Sequence, residues 1–598
     1  MRNVLLVSAA LYVAVRALLV LSIGDAFIYG EEFEKGTVAA ALASGVDVPY
    51  ARMPFHPYEG GGFVASHLKL AAFALVGENV LAHKLCAIAW GLLVLAASIA
   101  FAERHGGRGA AWTIGILLGC APAHFVGQSL IHLGIHYEAL LFIALTFDLG
   151  LRVAATPKGE RPDRRLLVGL GLAAGFGTYF SYQVPIAVLA VIALMAATGW
   201  RRIFEPALVV STLVGLLPLA LMALAVGNEV LDIHGSDVGA KGGAERVLNA
   251  LGVGLSGALP RAEVAFGAVA LGLGLFVAPP RDDRRRALLL LFGFSGLWLG
   301  AAAASAMIPP VAEGAHWVRF IRFAPFAFAL LLAVAVAAGP ARIPRGIALC
   351  IAPLGLVGLV TGLGLRADVG SWPAHFDRLR RTSGVEIRGA LVKIAPRLAD
   401  EAEPDVAARA AAAVAPYGAL QDARDDFLAA ELASAATHRL GGDDPDAVLD
   451  ALDAVLDDRF SRDALALGLG PVVQRSIRGD VRTALLDPAF DPLYAEALGR
   501  FGSGYLSLEP FVAMELETAR GTVHRDAFLR GLGRRIFRCS VTQSYWGWSL
   551  RLRPERARAR MIEVAREGAA DDAEIDALCN GFDGAARDFG LAPTTLPR

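Results

Sequence analysis

The chain has 598 residues, of which 55% are hydrophobic and 19% charged, with a formal net charge of −1. That balance excludes a nucleic-acid-binding protein, which needs a basic surface. The average also conceals a division. Residues 1 to about 366 are a series of apolar runs, several near the twenty residues an α-helix needs to cross about 30 Å of hydrocarbon. From about 367 to 598 no such run occurs, and Asp, Glu and Arg are dense. The composition therefore predicts an all-α chain: a polytopic membrane helix bundle over 1–366, then a soluble all-helical domain over 367–598, large enough to bury a core of its own.

In chain order the apolar segments run approximately over 3–23, 80–101, 109–128, 134–153, 166–182, 184–199, 204–226, 262–279, 287–307, 321–338 and 347–365, about eleven spans. The first, "VLLVSAALYVAVRALLVLSIG", lacks a small-residue cleavage site and carries Arg16, so it reads as a retained span and not a removed signal. Residues 24–79 form a long first outer loop. Within it "FVASHLKLAAFALVG" (63–77) is too short and, with His67 and Lys69, too polar to span. It reads as an amphipathic helix lying in the outer interface, with "HPYEGGG" as a glycine-rich turn before it.

The connectors alternate in charge. "ERHGGRG", "TPKGERPDRR", "GWRR", "PPRDDRRR" and "GPARIPRG" are short and rich in Arg, whereas the loops at 24–79, 129–133, 227–261 and 308–320 hold few cations for their length. The positive-inside rule then places the N-terminus and the Arg-rich loops in the cytoplasm. An odd number of spans puts the C-terminal domain on the periplasmic or outer face of a cytoplasmic (inner) membrane.

Four places in the first 340 residues carry a resemblance. "EEFEKGTVAAAL" sets Glu31 and Glu32 just beyond the first span. "GENVLAHKL" (77–85) opens the next span with Lys84. "HYEALLFIALTFDLGLR" holds Glu138 and is followed by the glycine-rich "GLAAGFGTYFSY" (171–182), and "RFAPFAFALLL" starts a late span from Arg322. In order and spacing these motifs resemble the GT-C superfamily of membrane glycosyltransferases, in particular the dolichyl-phosphate-mannose mannosyltransferase-like, polyprenyl-phosphate-sugar-dependent branch. Glu31 replaces the Asp of that family's acidic pair, which moves the carboxylate outward by one methylene. Lys84 replaces its Arg, losing the bidentate fork while keeping a charge suited to phosphate. The resemblance implies a GT-C-like bundle, a polyprenyl-phosphate-linked sugar donor, and a lipid, glycan or protein acceptor.

The chemistry calls for the same residue types. Moving a sugar from a lipid phosphate to a hydroxyl needs a base for the acceptor proton and cations, or a divalent metal, for the departing phosphate. Glu31 is the predicted base, with Glu32 or Glu138 as its electrostatic or metal partner. Arg322, with Arg319 of "HWVRFIRF" or Lys84, is predicted to hold the phosphate. The bland alternatives are a solvated acidic helix start for Glu31–Glu32 and an interfacial anchor for Arg322. Asp25 and Glu59 are reserve acids. His132 and His136 in "IHLGIHYEA", four apart and read as sharing a helical face near Glu138, are a rival metal site. The loop "GNEVLDIHGSDVGAKGGAERV" has turn chemistry suited to a substrate gate. No Walker sequence occurs.

Beyond residue 367, "PDAVLDALDAVLDDRF" and "PERARARMIEVAREG" show helical periodicity. Glycines at 468, 499 and 531 recur in similar settings, which predicts a short helical-repeat solenoid; the alternative is an irregular bundle whose glycines end helices. "SVTQSYWGWSL" concentrates Tyr545, Trp546 and Trp548, either core or a sugar-stacking surface. Cys539 and Cys579 are the domain's two cysteines, in a compartment that permits a disulfide. Taken together, the sequence predicts a glycosyltransferase acting on the outer membrane face. The rival is a non-catalytic membrane platform that anchors an interaction domain. A transporter fits less well, because the charges flank the spans and do not sit mid-span.

Overall fold

The computed structural model describes residues 2–23, 30–43, 60–120, 123–157, 159–226, 444–456, 461–478, 480–501, 508–542 and 554–588, with scattered positions in 286–293 and 429–434. Every element among them is a helix. The predicted spans at 262–279, 321–338 and 347–365 and most of 287–307 lie outside the described residues. So do the loop at 227–261, the aromatic cluster at 545–548 and the boundary near 366.

The N-terminal part comprises α1 (Arg2–Ile23), α2 (Gly30–Ala43), α3 (Gly60–Val76), α4 (Val80–Gly106), α5 (Arg108–Gly119), α6 (Ala123–Gln128), α7 (Ala139–Ala155), α8 (Arg164–Phe180), α9 (Val184–Gly199, continued by a 3-10 turn Trp200–Phe204) and α10 (Pro206–Val226). Four helical stretches are long and apolar enough to cross a membrane among the described residues: Arg2–Val20, Val80–Gly106, Val184–Phe204 and Pro206–Leu224. Of the eleven predicted spans, α7 and α8 fall short at 17 residues each. On the lipid-type faces Leu213, Leu217 and Leu224 stay exposed, as suits helices solvated by hydrocarbon.

Capping sets several boundaries. The Asn79 side chain accepts from the Ala82 N–H and starts α4, and Asp163 accepts from Arg165 N–H at the start of α8. The predicted segment 109–128 is two helices. α5 ends at Gly119, and Pro122 follows, a residue without the N–H that a continuous helix would need. Arg16 of α1 takes up the slack: buried over the Tyr12 ring, it donates to the Gly119 carbonyl at 2.6 Å and to Ser129 Oγ at 3.1 Å. The predicted segment 134–153 also starts late, since residues 129–138 form an irregular connector and α7 begins at Ala139.

The glycine-rich stretch of α8 is there for packing. A Cβ on Gly175 would lie 2.3 Å from the Thr212 carbonyl oxygen and one on Gly171 at 2.0 Å from Ser211 Oγ, so α8 and α10 meet backbone to backbone. At one end of the bundle Arg104 and His105 pair with Asp148. Arg202 there donates to the Val153, Ala154 and Thr156 carbonyls left open where α7 ends. The connector 129–138, the start of α4 and the end of α8 gather at the other end.

The C-terminal part has its own core. It comprises α11 (Pro445–Leu456), α12 (Arg462–Ala466), α13 (Gly470–Ser476), α14 (Val481–Leu486), α15 (Pro492–Arg500), α16 (Leu508–Ala519), α17 (Arg525–Thr542), α18 (Pro554–Glu567) and α19 (Asp572–Asp588). α13, α15, α17 and α19 pack in succession, as do α14, α16 and α18. Gly531 is interior to its helix, which removes that alternative for it, whereas Gly499 is the last residue but one of α15. At Gly499 of α15 and Gly531 of α17 an added Cβ would come 2.0 Å from the Phe528 and Glu496 carbonyl oxygens respectively. Gly533 and Gly581 bring α17 against α19 in the same manner. Cys579 is buried in this core, and the Cys539 side chain is outside the described residues.

Candidate functional site

The site is built where α2, α3, α4 and the 129–138 connector converge. Close approach comes first. Gly134 adopts φ +82°, and Gly61 passes it so tightly that a Cβ on Gly61 would sit 1.7 Å from the Gly134 carbonyl oxygen. Gly36 of α2 leaves room for the His83 ring, whose Cε1 would be 2.4 Å from a Cβ at that position. The three glycines at 60–62 are thus the first turn of α3 and not a loop before it, contrary to the sequence reading.

Into this junction the chain places Glu32, 1% exposed, and Lys84, fully buried. Lys84 Nζ donates to Glu32 Oε2 at 2.6 Å, and the other carboxylate oxygen accepts the His132 N–H at 2.9 Å. Lys69, also fully buried, donates to two main-chain oxygens, those of Glu32 at 2.7 Å and His132 at 2.9 Å. Lys35 is buried on α2 as well. The predicted helix exists as α3, but it is apolar and not amphipathic: Lys69 and Ser66 are buried while Leu75 is exposed. The apolar character of the helix put Lys69 inward, and Glu32 made that position tenable.

Glu138 lies next to this pair. It accepts the Leu133 N–H at 3.0 Å, its carbonyl accepts from Trp90 Nε1 at 3.1 Å, and Oε1 is 4.0 Å from His132 Nε2. His136 turns away: Gln183 Nε2 lies 3.1 Å from its Nδ1 and Tyr182 packs edge-on against its ring. His132 and His136 are four residues apart on an irregular connector, so the helical face that would have joined them as metal ligands does not exist. Among the described residues no group of three or more His, Cys, Asp or Glu side chains could hold a metal ion. Ser181 Oγ donates to the Ile135 carbonyl at 2.6 Å and ties the end of α8 to the same connector.

The electrostatics follow from burial. Loss of solvent lowers the Lys69 ammonium to about 7, with Lys35 and Lys84 lowering it further and Glu32 opposing them. Burial raises the Glu138 carboxyl to about 7 against the backbone N–H groups that favour its charged form. His132 is held well below the ordinary imidazole range by burial and then by the charges of Lys69 and Lys84. Among the described residues, Nδ1 of His132, Oε2 of Glu138 and Oε1 of Gln183 are buried without a hydrogen-bond partner.

Sequence reading found Glu32, Lys84, Glu138 and His132, and the structure brings these four together. Glu31 is in the first turn of α2, with its side chain outside the described residues, as are Asp25, Glu59, Arg319 and Arg322 entirely. It missed Lys69, Lys35, Trp90, Gln183 and Ser181 as members of the site. One signal was available for Lys69, the single Lys or Arg of an apolar 17-residue helix. An open apolar cleft of about 440 Å³ lies between α7, α8 and α10, lined by Phe142, Leu149, Phe176 and Pro218 among others. Phe142 and Phe176 contact Phe180, which stacks on Trp90 at 5.4 Å.

No protein-family model matches the chain, and no curated protein matches it. Among solved structures it is similar to the crystal structure of ArnT from Cupriavidus metallidurans bound to undecaprenyl phosphate. The identity is 16%, over 79% of this chain and 78% of that one, with a TM-score of 0.36. So distant a likeness transfers no residue's role.

Proposed function

We propose that the chain is a membrane glycosyltransferase that moves a sugar from a polyprenyl-phosphate carrier to a hydroxyl of a lipid, glycan or protein. The observation that carries this reading is the Glu32–Lys84 ion pair, buried with Lys69 and adjoining Glu138 and His132 at one end of a bundle of apolar helices. Charges removed from water are costly, and a protein that keeps five ionisable groups together there has a use for them.

In this reading the acceptor oxygen attacks the anomeric carbon and its proton passes to Glu31. The bond between that carbon and the phosphate oxygen breaks, and its electron pair leaves with the phosphate. Glu32, fixed by Lys84 and the His132 N–H, keeps the local field that favours proton transfer, and Glu138 adds to it. Lys84, Arg319 and Arg322 stabilise the departing phosphate. The unpartnered atoms of His132, Glu138 and Gln183 supply hydrogen bonds to sugar hydroxyls. The apolar cleft beside α8 offers a surface for the carrier's hydrocarbon, reached from the site through Phe180 and Trp90. The N-terminus is cytoplasmic and the site faces the periplasm or exterior, together with the C-terminal domain, which orients the acceptor or docks a partner.

Transfer of labelled sugar from polyprenyl-phosphate carriers in membranes tests the proposal. Glu31→Gln is expected to lower the rate about 10²- to 10⁴-fold, the usual contribution of a general base. A wild-type rate in that variant removes Glu31 from the mechanism. No transfer by the wild type from any carrier favours the membrane platform.

A further inference from the structure

We propose that Lys69 is a positioning residue: bonded at once to the main-chain oxygens of Glu32 and His132, its ammonium clamps α2 to the 129–138 connector and so sets the Glu32 carboxylate against Lys84. The catalytic consequence of the clamp rests on the glycosyltransferase reading; the clamp itself does not.

Three contacts close a ring. Lys69 Nζ reaches the Glu32 carbonyl at 2.7 Å and the His132 carbonyl at 2.9 Å, and the His132 N–H returns to Glu32 Oε1 at 2.9 Å. The ring joins three elements far apart in sequence, α2, α3 and the connector. Its fourth side is Lys84 of α4, on Glu32 Oε2. Without Lys69, the main-chain oxygens of Glu32 and His132 lose this shared donor, and with it the link it makes from α3 to both α2 and the connector. Gly61 and Gly134 bring the α3 backbone close enough for the side chain to reach both oxygens. Lysine suits the task because three donors on one nitrogen can serve two carbonyls that lie in different directions.

The groups facing Lys69 are Glu32 and Lys35 of α2, Lys84, His83 and Cys86 of α4, and His132 and Glu138 of the connector. Lys35 and Lys84 repel its charge, whereas Glu32, and Glu138 when ionised, offset it. The clamp is accordingly held charged below about pH 7 and neutral above it. A neutral amine still donates but loses the charge-assisted part of both bonds.

The test uses the full chain. Hydrogen exchange is read over residues 129–138 in the wild type, Lys69→Met and Lys69→Gln. Methionine is expected to cost His132 and Leu133 about tenfold in protection, and glutamine, which keeps an N–H donor, less than that. Protection equal to the wild type in both variants overturns the clamp. The charge is read separately in the pH profile of sugar transfer. The wild-type rate is expected to decline above about pH 7, and Lys69→Arg, whose guanidinium stays charged, to shift that decline upward by about one unit or more. A decline at the same pH in Lys69→Arg overturns the role of the charge, a result that a purely structural lysine would give. A chain that loses protection in Lys69→Met yet transfers no sugar in the wild type keeps the clamp and refutes the glycosyltransferase reading instead.

Discussion

The two described parts of this chain treat charge in opposite ways. At the junction of α2, α3, α4 and the 129–138 connector, Glu32 and Lys84 are 1% and 0% exposed and pair at 2.6 Å. In the C-terminal part most pairs keep a wet side. Glu496 is met by Arg530 and Arg534, whose side chains remain 40% and 21% exposed, and Arg462 reaches Asp450 and Asp453 from the surface. Cohesion there comes from apolar burial and from glycines that let α15, α17 and α19 touch backbone to backbone. The lesson is about cost. A surface pair loses little when broken, because water replaces the partner, whereas a dry pair leaves an uncompensated charge behind.

The comparison breaks most easily at Lys84. Lys84→Met is expected to destabilise the full chain by about 3–5 kcal/mol, since Glu32 keeps its charge and loses its partner. Adding Glu32→Gln should restore much of that loss. Melting in detergent measures both, and equal losses in the single and double variants would mean that the pair is not coupled.

The dry environment should also be visible as a pH dependence at Glu138. Its carboxyl is raised from 4.5 to about 7, so between those values the folded chain holds a proton that the unfolded chain has released. Its contribution therefore falls as pH rises through that window and is constant above it. Melting of the wild type relative to Glu138→Gln should decline from about pH 5 to pH 7 by an amount worth a few kcal/mol. A difference that does not change with pH would show that Glu138 titrates normally.

Smaller effects are expected in the C-terminal part. Gly531→Ala pushes a methyl group against the Glu496 carbonyl oxygen at 2.0 Å, and such overpacking costs about 1–3 kcal/mol. Arg462→Ala should change stability by less than about 1 kcal/mol, because both of its carboxylate partners are reached by water. A larger loss from Arg462→Ala than from Gly531→Ala would reverse the contrast between the two parts.

Much of the helical framework was legible beforehand. The apolar run of 80–101 announces α4, and the Asn79 cap marks its start. The run of 184–199 matches α9 to the residue, since nothing polar interrupts it. Breaks were harder to see. The segment 109–128 is divided into α5 and α6, and the Gly119 carbonyl at the end of α5 is met by Arg16 from another helix, a partner no local pattern shows. The connector at 129–138 hid behind an apolar pattern because its polar atoms find partners across space, in Glu32, Ser181 and Trp90.

The site was legible by residue type and illegible by membership. Adjacent acids after a first span, and a lysine opening the next, are unusual enough in an apolar chain to stand out. Lys69 gave one signal, a lone cation in an apolar helix, which reads equally well as a rim position, and Gln183, in the turn before α9, gave none. The His132–His136 spacing misled for a related reason: a separation of four residues means a shared face only where the backbone is helical.

The order of residues alone determined that the described parts would be helical and that several of those helices would be apolar and long enough to cross a membrane. Hydropathy and capping act between near neighbours, and that information is local. Tertiary structure decided which charges lose their water, and with that which of them matter. Glu32, Lys69, Lys84 and Glu138 are up to 106 positions apart (32 to 138). Only the packing of α2, α3 and α4 onto one connector removes the solvent that would otherwise make them ordinary.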